Sequence, residues 1–95
     1  MIMSFDMEVF MAGVLPGSHA TRQRHLRQAE LIQAEIAKRW RRETPWAWQR
    51  KHLAWFLEHC LDRRSKMTRY YYFLTVRLLA RRLQKTWLFN LCGKI

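Results

Sequence analysis

Chemistry in this chain would have to come from its histidines, cysteines, carboxylates or arginines, and their spacing decides which. His52 and His59 stand seven residues apart. On one helix that is two turns, roughly 10 Å, too far for both rings to ligate a single metal ion. Cys60 falls off their face, and a closed metal site needs several converging ligands. The spacing therefore predicts packing or rim hydrogen bonds for these rings, with no metal and no other cofactor. Cys60 and Cys92 are too few and too distant for a disulfide framework, so both are expected as reduced, partly buried thiols. There is no Gly-rich phosphate loop and no paired-carboxylate motif, and the seven acids are scattered. Without a nucleophile, a base and an oxyanion donor in a recognisable setting, the residues predict no enzyme.

Cation chemistry remains. All 18 Lys and Arg lie at or after Arg22, against five of the seven acids, so residues 21–95 carry +13 while residues 1–20 carry −2. A field of that size attracts polyanions, and nucleic acid is the commonest such partner. The cations are interleaved with aromatic residues, as in "RSKMTRYYYFLTVRLLARR" at residues 64–82. Arg and Lys there can neutralise phosphates and release counterions.

Helices must position those cations. Ninety-five residues make one small domain, and a composition 49% hydrophobic is too apolar for a disordered chain. Residues 1–17, with Gly13, Pro16 and Gly17 as breakers, read as an irregular N-terminal arm, and residues 18–95 as a single helical domain. Leu26, Ala29, Ile32, Ile36 and Trp40 recur at spacings of three and four, predicting a helix over 19–41 with Ser18 as its N-cap. Thr44 and Pro45 signal the start of a second helix, over 45–61. Ser65 can cap a third over 66–84, with Met67, Tyr71, Leu74 and Leu78 on one side and Val76, Leu79 and Leu83 on the next. Successive residues on a helix point about 100° apart, so Tyr70, Tyr71 and Tyr72 cannot share a role. One or two belong to the core and at least one to the rim. Trp40, Trp48, Phe56 and Leu74 are assigned to the core.

Trp87, Leu88 and Phe89 in the tail predict a short fourth helix that docks on the core. Left uncovered, they would form a protein interface, such as that of a homodimer. The expected fold is thus all-α, a bundle of three long helices plus this short one. Asp6 and Glu8 within the first apolar stretch argue against a secretory signal, and no run reaches the 18 or so apolar residues of a membrane span. The expected setting is cytoplasmic, without a membrane partner.

The segments "SHATRQRHLRQAELI" and "SKMTRYYYFLTVRLLARRL" repeat one layout: Ser, Thr three residues on, then an aliphatic helix. With "WQRKHLAWFLEHCL" between them, residues 18 to 85 resemble the N-terminal core-binding, SAM-like domain of tyrosine recombinases, the phage-type integrases. The resemblance implies a helical bundle that clamps one side of duplex DNA. It implies Arg22 and Arg24 of the first S-x-x-T helix, and Lys66, Arg69 and Arg77 of the second, near the DNA, with Lys51 and Arg81 as further candidates. The family's catalytic domain is missing from these residues; "HATR" at His19–Arg22 is an H-x-x-R string in the wrong domain, and none of the three tyrosines is expected to be a nucleophile. The leading expectation is a non-catalytic DNA-binding protein of a mobile element. The alternative is a phage- or plasmid-borne inhibitor, anti-CRISPR-like, that binds an acidic protein surface or a nucleoprotein. Structured RNA is a third partner class.

Overall fold

Asp6 opens a helix where an irregular arm was expected. Its carboxylate Oδ1 accepts from the backbone N–H groups of Glu8 (3.0 Å) and Val9 (3.2 Å), capping α1, Met7–Met11. Met7, Phe10 and Met11 are buried. A helix this short has no stability of its own, and the burial of that face helps to hold it. Met7, Phe10 and Met11, at helical spacing, are therefore part of the core. The structure, a computed structural model, describes residues 5–89.

Gly17 turns the chain from α1 into α2 with φ of +82°, and a Cβ there would stand 3.2 Å from the Thr21 side chain. Only glycine suits both constraints. α2 spans His19–Trp40. Ser18 Oγ accepts from the Thr21 N–H at 3.3 Å, and Leu26, Ala29, Ile32 and Ile36 form its buried stripe. It ends at Arg41, which takes the left-handed conformation (φ 58°) while its N–H bonds to Ala37 O. Gln33 Nε2 reaches the carbonyls of Arg42 and Glu43 and ties the following loop to the helix.

The helix expected over 45–61 is split. Pro45–Ala47 make one 3-10 turn, Trp48 and Gln49 are extended, and α3 runs only over Arg50–His59. At the break the Trp48 side chain is buried in the core. α3 restarts with the Gln49 N–H donating to His52 Nδ1 at 2.8 Å. α4 spans Lys66–Arg82 and repeats the opening of α2: Ser65 Oγ accepts from the Thr68 N–H at 3.1 Å. It closes in a Schellman turn, with Gln84 at φ 60° and the Lys85 N–H reaching Ala80 O at 3.0 Å. The short fourth helix expected in the tail is not formed by residues 85–89; the rest of that prediction lies outside the described residues.

α4 lies across the N-terminal half of α2, where Arg24, His25 and Gln28 meet Tyr71 and Thr75. α3 covers the other half of α2, with Trp40 against His52 (4.6 Å between ring centroids) and Trp55 (5.0 Å), and touches α4 through Phe56 and Tyr72. α1 packs on both α2 and α4. The Cα radius of gyration, 12.8 Å, is close to the roughly 12.4 Å expected of one folded unit of this length. The fold is all-helical among the described residues, with two long helices, one of middle length and one short, rather than three long ones. Of the four residues assigned to the core, Trp48 and Phe56 are buried, whereas Trp40 and Leu74 are half-buried.

Candidate nucleic-acid interface

The seam between α2 and α4 is polar at its centre. His25 Nδ1 and Thr75 Oγ1 lie 2.7 Å apart, and Thr75 Oγ1 is also 2.7 Å from Gln28 Oε1 and 3.1 Å from Tyr71 O. The hydroxyl has one proton. When it donates to Gln28 or to Tyr71 O, His25 must carry its proton on Nδ1 and donate to Thr75. His25 and Thr75 are both buried. Burial, and then the neighbouring Arg24 charge, hold the His25 imidazole below its ordinary pKa, so it is kept neutral. Arg24 is half-buried, with its guanidinium 4.0 Å above the Tyr71 ring. It is thus a strut of the seam, stacked by a cation–π contact rather than extended toward a phosphate.

Tyr72 is buried, Tyr71 half-buried under Arg24, and Tyr70 is 42% exposed. The expected division among the three holds. The side of α4 on which Met67, Tyr71, Leu74 and Leu78 were placed is not the deep one. Tyr72, Thr75, Val76, Leu79 and Leu83 fill the core, while Met67 is 61% exposed and Leu74 and Leu78 are half-buried.

The candidate cations are not equivalent in position. Lys66, Arg77 and Arg81 are exposed on α4, and their spacing of 11 and 4 puts them on one face together with Tyr70. Arg69 lies at the flank of that helix, half-buried, and Arg22 is exposed on the first turn of α2. Arg24 is engaged in the seam. Lys51 is exposed but stands apart: it neighbours His52, which packs on Trp40 at the far end of α2. Lys51 is thus carried by α3 and not by α4.

Other arginines are spent internally. Arg82 Nε donates to Phe10 O at 2.6 Å, and its guanidinium lies 4.7 Å from the Phe10 ring and 5.1 Å from that of Trp46. Arg50 donates through Nε and Nη2 to Leu88 O, at 3.0 and 2.8 Å, and faces the Phe89 ring at 5.2 Å. That clamp fixes the beginning of the tail: Trp87 and Phe89 are half-buried, and Leu88 is 82% exposed. Of the expected tail interface, only Leu88 is presented fully.

Acids are missing from α4 and from α2 before Glu30. Among the described residues the ion pairs are Lys38–Glu35 at 3.6 Å and His59–Glu58 at 3.9 Å, so no acid neutralises Lys66, Arg69, Arg77 or Arg81. Sequence reasoning missed Tyr70 and Met67 as members of this surface; the signal was their interleaving with cations at helical spacing.

Cys60 sits at the end of α3, its thiol pKa pushed up by burial and then by Glu35, which disfavours the nucleophilic thiolate. His52 is fully buried and His59 exposed. Among the described residues no three His, Cys, Asp or Glu side chains are grouped to hold a metal ion, and no helix is long and apolar enough to cross a membrane. No family model matches the chain, and neither a curated protein nor a solved structure matches it.

Proposed function

We propose that this protein is a small, non-catalytic nucleic-acid-binding protein that occupies duplex DNA through α4 and the first turn of α2, as an accessory or regulatory factor of a mobile element. The observation that carries this reading is the acid-free face of α4, where Lys66, Arg77 and Arg81 are exposed and unpaired by any acid among the described residues. Cations left in solvent on a rigid helix cost self-repulsion, which a polyanion removes while its counterions are released. The resemblance of the two S-x-x-T helices to recombinase core-binding domains supports the choice of duplex DNA and the involvement of Arg22, Arg69 and Arg77. Arg24 and Lys51 leave the proposed contact set, the first because it is stacked in the seam and the second because it lies elsewhere.

The test is charge reversal at exposed positions. Lys66→Glu combined with Arg77→Glu should weaken duplex binding by about tenfold or more at moderate salt while the helical circular dichroism stays unchanged. Undiminished affinity in a folded double variant would remove α4 from the contact surface.

A further inference from the structure

The outward stripe of α4 is more than a basic face. Met67, Tyr70 and Leu74 follow one another at spacings of three and four, and the first two are 61% and 42% exposed. Lys66, Arg77 and Arg81 frame them, and the Arg77 guanidinium stands 6.0 Å from the Phe73 ring. A purely phosphate-binding helix gains nothing from exposed rings and thioethers, which cost solvation and favour a partner with apolar or π faces.

Tyr70 is also mounted firmly. Its ring is 5.9 Å from that of Tyr71, tilted by 57°, and Tyr71 is itself pinned by the Arg24 guanidinium at 4.0 Å from its centroid. Arg24 belongs to α2, so the ring beside Tyr70 is held from the second helix of the seam. A ring held in this way loses little entropy when a planar partner stacks on it.

The occupant must be anionic, because no acid lies on α4, and it must carry flat faces. A second copy of this chain would set Lys66, Arg77 and Arg81 against the same cations, which are like charges. Paired bases inside a duplex offer no free face. We infer that the stripe of Met67, Tyr70 and Leu74 is a stacking platform for the unpaired bases of a single-stranded segment, whose phosphates Lys66, Arg77 and Arg81 accompany. Base–aromatic stacking of this kind tolerates any sequence and adds to the salt-dependent backbone contact. This inference rests on the nucleic-acid reading above and specifies the form of the partner: duplex continued by a single strand, as at an opened, nicked or processed end.

The test uses fluorescence anisotropy with three labelled probes, a blunt duplex, the same duplex with an oligothymidine overhang, and oligothymidine alone. They are titrated with wild-type protein, Tyr70→Leu and Tyr70→Phe. Wild type should prefer the overhang probe to the blunt duplex. Tyr70→Leu, which keeps apolar bulk and removes the ring, should lose about 5- to 100-fold for the overhang and single-strand probes, a larger loss than for the blunt duplex, and Tyr70→Phe should restore it. Equal wild-type affinity for the blunt and overhang probes, or an equal loss for both in Tyr70→Leu, would overturn the platform while leaving duplex binding in place. Absence of binding to every probe would remove both readings. Capture of an acidic amphipathic peptide, lost in Tyr70→Leu, together with that absence would assign the stripe to a protein partner instead.

Discussion

α4 carries two apolar stripes of similar size with opposite fates. Tyr72, Val76, Leu79 and Leu83 are buried against the other helices, whereas Met67 and Tyr70 are exposed and Leu74 is half-covered. Their cations differ in the same way. Arg82, beside the inner stripe, turns its guanidinium onto Phe10 and Trp46 and bonds the Phe10 carbonyl, so its charge is used in holding α1. Lys66, Arg77 and Arg81, on the outer stripe, remain in solvent. One helix thus builds the core with one side and offers charge and aromatic surface with the other, and the disposition of arginine rather than apolar content separates the two.

The contrast is sharpest in stability. Leu79→Ala, at a fully buried position, should destabilise by about 2–5 kcal/mol in a denaturant titration, while Met67→Ala on the outer stripe should stay within about 0.5 kcal/mol. Equal losses would mean that both stripes are covered in solution. Met11→Ala tests whether α1 belongs to the inner system: Met11 is fully buried, so a loss of about 2–5 kcal/mol is expected, where a detached arm would give none.

Acid should act on the buried seams rather than on the outer face. His25 is held below its ordinary pKa by burial and Arg24, and His52 by burial, then Arg42 and Lys51. The unfolded chain therefore takes up these protons first as pH falls through about 6.5, and stability present above that value is lost progressively below it. The melting temperature should drop between neutral pH and about pH 5, with a shallower drop in His25→Gln. An identical slope in that variant would place the titrating group elsewhere. The smallest expected effect concerns the two caps. Ser18→Ala and Ser65→Ala should each cost about 1 kcal/mol, because each removes an acceptor for a first-turn N–H. A clear inequality between them would show that one cap has a further role.

Much of this arrangement is legible in the sequence because it is local. Ser18 and Ser65 start their helices where the S-x-x-T pattern places them, and α2 ends within one residue of its expected limit. Local signals do not reveal that Trp48 would leave the helical path to fill the core, nor that Met7, Phe10 and Met11 would be buried on distant elements. They also cannot rank two apolar stripes on one helix: periodicity identifies both, and only the position of α2 and α3 decides which is covered. For the candidate site, the candidates Lys66, Arg77 and Arg81 lie exposed, whereas Arg24, named from the resemblance on the same footing, does not. Its stacking on Tyr71, 47 residues away in the chain, is a tertiary contact that spacing does not encode.

The central claim is that the exposed cations of α4 and α2 neutralise phosphates. Its most direct measurement is the affinity of the wild-type protein for a duplex across a series of salt concentrations. If Arg22, Lys66, Arg69, Arg77 and Arg81 all engage the backbone, the logarithm of the binding constant should fall against the logarithm of salt with a slope of about −4.5. Binding that is absent at low salt, or insensitive to salt, would contradict the account and make the basic face a surface for something other than nucleic acid.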